Sequence, residues 1–289
     1  MSKPFFRTKQ RIFSVLACIA TSLAGYGQEP VEDALPPHRY TTHAMLFGAG
    51  RTRQFETYLS PLEYTGPQIS FLRESLRKTH WADGRVTTQG LLHGYLAYAQ
   101  NPAETADEIG GNIGYAAGWH YNWTPVRGLR LMAGGQLGAQ VGFLYNTRNS
   151  NNPAQARASA ELSASVAVIY NFHIRRQGFS ARYQADIPVV GAMFSPNYGQ
   201  SYYEMFSQGN YDHNVCLTHP GNAPSLRQLL TLDFPIGGFT FRAGYLCDIR
   251  QSRVNRLKSH AYNHTFLIGY VKHFCFLKRK DHRTHNLIP

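Results

Sequence analysis

Residues 129–145 read LRLMAGGQLGAQVGFLY. Every second residue from the first is apolar or small: Leu129, Leu131, Ala133, Gly135, Leu137, Ala139, Val141, Phe143 and Tyr145. The residues between are mostly polar or glycine, among them Arg130, Gln136 and Gln140. A helix would mix the two sets. A period of two belongs to an extended strand with one apolar and one polar face. The run is also far longer than the soluble strand norm of about 5–6 residues.

The pattern recurs along the chain. Apolar faces run over 109–123, 158–174, 179–189, 226–234, 239–249 and 262–276, and Val86 to Tyr98 reads as a further strand. Residues 42–51 and 67–75 complete a first pair. A soluble sandwich also alternates, but two features favour a barrel in lipid. The apolar faces end in aromatics such as Trp119, Tyr121, Trp123, Phe172 and Phe179, as an interfacial girdle does. The opposite faces carry charge and glycine, which suits a narrow interior. The connections 124–128, 175–178 and 235–238 are short, whereas 99–107, 146–157, 195–224 and 251–260 are long. Short periplasmic turns facing long outer loops are the habit of outer-membrane barrels. The expectation is an all-β fold: a transmembrane antiparallel up-and-down β-barrel of about ten strands, with eight to twelve fitting the pattern.

Composition agrees. Charged residues make up 16% of the chain, against about 25% in soluble domains, while mean hydropathy is only −0.35. Past the N-terminus no apolar run approaches the roughly 18 residues of a transmembrane helix. The net charge is +12. The Arg and Lys residues are scattered, and no nucleic-acid-binding signature is present, so the expected electrostatic partner is outer-membrane lipid and lipopolysaccharide phosphate.

Lys3, Arg7, Lys9 and Arg11 precede the apolar stretch IFSVLACIATSLAG, which reads as a cleavable export signal over residues 1–27. A single barrel domain over 28–289 is expected, with a periplasmic lead-in at 28–40 and a basic tail at 277–289. The location expected is the bacterial outer membrane, reached through the barrel-assembly machinery. The lipobox-like Val15 to Cys18 is disfavoured because the apolar run continues past it. Cys216, Cys247 and Cys275 then remain, an odd number without metal spacing, and read as small fillers. No cofactor and no metal are expected.

The signal, YLSPLEYTGPQISFLRES (58–75) and SPNYGQSYYEMF (195–206) together resemble an uncharacterised family of outer-membrane β-barrels of Gram-negative bacteria, a domain of unknown function. The resemblance covers most of the mature chain and implies no activity, substrate or catalytic residue.

Inward positions hold Glu108, Arg130, Glu161, Arg175, Arg182, Asp186, Arg227, Asp233, Arg242, Asp248 and Arg250. Charges in a lumen pair or are hydrated, so Arg130, Glu161, Arg182, Asp186, Asp233, Arg242, Asp248 and Arg250 are candidate lumen-lining residues, either of an ion-paired plug or of a narrow porin-like conduit. If Trp123 faces Leu129, Asn122 lies beside Arg130; if Phe234 faces Phe239, Asp233 is diagonal to Arg242. In the longest loop, Tyr198, Tyr202, Tyr203 and Glu204 are candidates for binding a surface glycan or lipid head group, unless the loop folds inward as a plug. The function expected is non-enzymatic, structural or conductive. The alternative is a barrel enzyme acting on lipid or peptide, for which His120 with Asn122, or Asp212 with His213, are the nearest candidates, and neither has an evident nucleophile or companion acid.

Overall fold

The computed structural model describes residues 40–275, apart from 151 and 176. The strands are β1 (Tyr40–Glu56), β2 (Glu63–Lys78), β3 (Val86–Gln100), β4 (Asp107–Val126), β5 (Leu129–Asn146), β6 (Ala154–Ile174), β7 (Gln177–Phe194), β8 (Val215–Thr218), β9 (Leu226–Ile236), β10 (Phe239–Val254) and β11 (Leu257–Cys275). One short helix, α1 (Tyr202–Phe206), lies between β7 and β8. The pairing runs β6-β5-β4-β3-β2-β1-β11-β10-β9-β7, and β6 pairs back onto β7. The ring is therefore closed, antiparallel and made of ten strands. Closure leaves no sheet edge unpaired in the barrel wall. The short β8 adds only to the upper end of β7, at residues 191–194.

Alternation decides which side chains face out. On β5, Leu137 is 62% exposed and Val141 58%, while Met132, Gln136 and Leu144 are buried. The same exposed apolar belt continues through Phe47, Ile69, Leu96, Ile113, Phe266 and Ile268. An outer face this apolar around a buried polar interior is the architecture of an outer-membrane β-barrel. Among the described residues no helix is long and apolar enough to cross a membrane.

Glycine thins both faces where large neighbours need room. A Cβ on inward Gly118 would stand 2.5 Å from the Gln136 side chain, and one on outward Gly94 would stand 2.5 Å from the Phe71 ring. The inner face is less polar than alternation suggests. Leu46, Leu72, Leu91, Leu229, Leu246 and Leu267 pack together inside the barrel.

The hairpins are tighter than expected. Gly237 and Gly238 alone, both at positive φ, turn β9 into β10. The stretch 251–260 is not a long loop: β10 and β11 run on to a two-residue turn at Asn255 and Arg256, both at positive φ. That is the left-handed geometry a two-residue hairpin demands, and asparagine tolerates it. The loop 195–225 is the longest at the same end, and the ends of β4–β5, β6–β7 and β9–β10 form the short-turn end. Two bulges shift the register: one opposite Arg130 at residues 124–125, and one at Val189, between the pairs Leu162–Val190 and Ser163–Pro188. An extra residue on one strand bends it and reverses the inside-outside parity beyond.

Candidate functional site

The lumen is crossed in its short-turn half by a hydrogen-bonded tier that joins opposite walls. Glu74, on the inner face of β2 and 1% exposed, accepts from Arg182 Nη1 of β7 at 2.6 Å and from Arg242 Nη1 of β10 at 2.6 Å. Arg242 also donates from Nε and Nη2 to the two Asp233 carboxylate oxygens, at 2.5 and 2.8 Å. Such fork-to-fork geometry suits guanidinium and carboxylate planes. Gln89 of β3 donates to Glu74 at 2.7 Å and to the Gln184 side-chain oxygen of β7 at 3.0 Å. Gln136 donates to Gln89 at 2.9 Å, and Ser165 to Asp186 at 2.5 Å. Arg182 additionally donates to Gln184. Every buried charge here has an opposite partner or a hydrogen bond, as low-dielectric surroundings require.

Nearer the long-loop end a second set lines open space. Arg250 donates to Glu161 at 2.6 Å and to Asp248 at 3.1 Å, and Arg227 lies 3.6 Å from Asp248 and 2.8 Å from His93. Glu161, Asp248 and Arg250 form the floor of a cavity of about 110 Å³, walled by Tyr95, Asn112, Gln140 and Ser159 and rimmed by Glu56 and Arg157. Arg250 and Glu161 are about one-fifth exposed, so this tier is partly solvated where the lower one is not.

The long loop is ordered against the wall. Ser201 caps α1 and Glu204 completes a capping box, accepting from the Ser201 N–H at 2.7 Å. Met205 is fully buried. The Tyr202 hydroxyl accepts from the Ala156 N–H at 2.7 Å, and Tyr58 donates from its hydroxyl to the Gln200 carbonyl at 2.8 Å. Burial, reinforced by Tyr202 and Glu204 nearby, pushes the Tyr58 phenol up to about 12. Tyr202 and Glu204 thus hold the loop together, while Tyr198 and Tyr203, 73% and 66% exposed, face outward.

The candidate lumen residues divide accordingly. Arg182, Asp186, Asp233 and Arg242 meet in the lower tier, and Glu161, Asp248 and Arg250 meet at the cavity floor. Arg130 is half-buried near the short-turn end, opposite Ile169. Arg175 is not inward: it sits exposed in the β6–β7 turn at φ 57°. Two register expectations change. The bulge at 124–125 sets Trp123 against Leu131, so Asn122 faces Met132 instead of Arg130. The two-residue turn after β9 sets Phe234 against Phe241, so Asp233 faces Arg242 directly, not diagonally. Glu74, the acid that holds two arginines, was absent from the candidates, as were Gln89, Gln136 and Gln184.

The arrangement at His120 lacks the order of a catalytic triad. His120 Nε2 lies 2.8 Å from the Ser165 hydroxyl, but the acid Asp186 accepts from that serine and does not orient the imidazole. Asn122 donates to the Arg85 carbonyl and the Thr87 hydroxyl. Asp212 and His213 pair with each other at the exposed loop. Cys216 and Cys247 are free thiols, and Cys275 lies where side chains are outside the described set. Among the described residues no group of His, Cys, Asp and Glu is arranged to hold a metal.

A family model described as a protein of unknown function (DUF3316) matches residues 12–281. Curated protein sequences contain no match to this chain. Solved structures similar to it include the transport unit of the autotransporter AIDA-I from Escherichia coli, at 10% identity and a TM-score of 0.41, covering 89% of this chain and 97% of that one. The translocator domain of the autotransporter NalP from Neisseria meningitidis is similar at 12% identity and 0.40, covering 93% and 96%. The outer-membrane protease OmpT from Escherichia coli is similar at 7% identity and 0.46, covering 86% and 100%. The barrel stands on its own strand pairing.

Proposed function

The chain belongs to the DUF3316 family of proteins of unknown function, and from that premise we propose that it is a closed, non-enzymatic outer-membrane barrel that offers a polar vestibule and an ordered loop to a surface glycan or lipid head group. One observation carries this reading: Glu74 reaches across the lumen to Arg182 and Arg242 together. A conduit needs a continuous wet path and an available line of charge. Here the arginines that would have favoured anions are neutralised by Glu74, Asp233, Asp248 and Glu161, and a cluster of leucines occupies part of the barrel interior.

In this reading the short turns, the start of β1 and the end of β11 are periplasmic, and the loop 195–225 faces outward. Residues 1–27 direct export and are removed, and 28–289 form one domain with a periplasmic lead-in and a basic tail. The barrel-assembly machinery inserts it, and lipid with lipopolysaccharide surrounds it. Glu161, Asp248 and Arg250 then line the ligand-accessible floor, and Tyr198 and Tyr203 are exposed on the long loop.

Proteoliposome swelling tests the proposal. Vesicles carrying the folded barrel should be as impermeable to small sugars and halide ions as protein-free vesicles. Swelling at porin-like rates would overturn the closed reading and reinstate the conduit.

A further inference from the structure

Along the strands the outward-facing cations are confined to β10, β11, β1 and β2; Arg73, Arg77 and Lys272 lie toward the short-turn end, and at the long-loop rim Arg148 is exposed in the β5–β6 loop. Arg51 and Arg53 project from β1, Arg253 from β10 and Lys258 from β11, and Arg256 stands in the β10–β11 turn; all five are exposed. The outward positions of β3 to β7 and of β9 carry no Lys or Arg. Arg253 and Lys258 are direct cross-strand partners. Like charges so placed repel and destabilise a hairpin, unless an anion lies between them. Among the described residues only Arg53 has an acidic partner, Glu63 at 2.7 Å; no carboxylate pairs with Arg51, Arg253, Arg256 or Lys258.

These cations stand at two heights. Arg51 pairs with His264, one outward step above Phe266, which is 73% exposed and belongs to the apolar belt. Lys258 and its partner Arg253 lie six residues beyond that level, roughly 20 Å along the strand at about 3.3 Å per residue and about 15 Å in height once the usual strand tilt is allowed for. A phospholipid presents its charge at one level, next to the acyl chains. A glycolipid with phosphate at the acyl junction and acidic sugars beyond presents it at both.

We infer that the outer face of β10, β11 and β1 at the long-loop rim is a two-level site for a phosphorylated glycolipid with an acidic sugar core: acyl chains against Phe47, Phe266 and Ile268, phosphate at Arg51, and core acids at Arg253, Arg256 and Lys258. The inference rests on the outward orientation of the long-loop end given above.

Native mass spectrometry of the folded full-length barrel with three defined lipids tests it: phosphatidylglycerol, lipid A without core sugars, and lipopolysaccharide bearing its acidic core. The order expected is core-bearing lipopolysaccharide tightest, lipid A roughly tenfold weaker, and phosphatidylglycerol weakest, since each basic contact contributes several-fold. The triple variant Arg253→Gln/Arg256→Gln/Lys258→Gln should bring core-bearing lipopolysaccharide down to the affinity of lipid A. Arg51→Gln should weaken both, and Arg73→Gln, outward at the opposite end, neither. Equal binding of the three lipids by the wild-type chain would overturn the inference without recourse to any variant. Protease cleavage of the 195–225 loop on intact cells tests the orientation separately. Cleavage only from the periplasmic side would remove the orientation and leave the binding result standing.

Discussion

The lower tier and the vestibule floor are built from the same parts and behave differently. Both hold arginines between carboxylates. In the lower tier, Arg182, Arg242 and Glu74 are at most 5% exposed, and their partners come from opposite walls, so the ion pairs double as a seal. At the floor, Arg250 and Glu161 keep water on one side, so the same chemistry becomes a surface that a ligand can reach. The lesson is that hydration, set by height in the barrel, decides whether a lumen charge closes the molecule or serves it.

The sharpest way to break that contrast is Glu74→Ala. It leaves two buried guanidinium groups short of a partner and should cost roughly 3–5 kcal/mol, read as a lower temperature for loss of the compact, heat-modifiable form on gels. Glu161→Ala removes the corresponding acid from the floor, where solvent compensates, and should cost about 1 kcal/mol in the same assay. Equal losses would mean that the two tiers are not distinct. Tyr202→Phe removes the acceptor of the Ala156 N–H and should cost about 1 kcal/mol, seen as faster proteolysis within 195–225 and an unaltered barrel.

Alkaline titration sharpens the contrast at the loop alone. The Tyr58 phenol is held protonated up to about 12 in the folded loop, against roughly 10 when unfolded. The unfolded form therefore loses its proton first. The stability from this group is complete below pH about 10 and declines as pH rises toward about 12; protease resistance of the loop should decline over that window, and a flat profile would contradict the assignment. The smallest effect belongs to Tyr203→Ala at an exposed position: stability within about 0.5 kcal/mol of wild type, with any change confined to glycan binding measured by calorimetry.

Much of the barrel was legible because period-two alternation reports which face meets lipid. Leu129 to Tyr145 and Ile109 to Trp123 needed no tertiary information. Glu74 was hidden because β2 breaks the rule on both faces: Leu72 points in and Arg73 points out, so parity did not mark Glu74 as luminal. The Asp233–Arg242 pair was visible in kind and missed in register, since turn length is set by Gly237 and Gly238 and not by the proline before them. The extra residues at 124–125 and Val189 leave little trace in periodicity, yet they decide what faces Asn122 and Glu161. The loop helix was not among the expectations: Ser201 and Glu204 are spaced as a capping box, but five residues are too few for a periodic signal. The vestibule was out of reach, because its floor joins Glu161 of β6 to Arg250 of β10 across the lumen, a meeting that no local pattern encodes.

Single-molecule conductance of the refolded barrel in a planar bilayer tests closure most directly. A folded, inserted and electrically silent protein is the result expected. Discrete, anion-selective current steps from the wild-type chain would contradict it, because they would require water to pass between Glu74, Arg182 and Arg242.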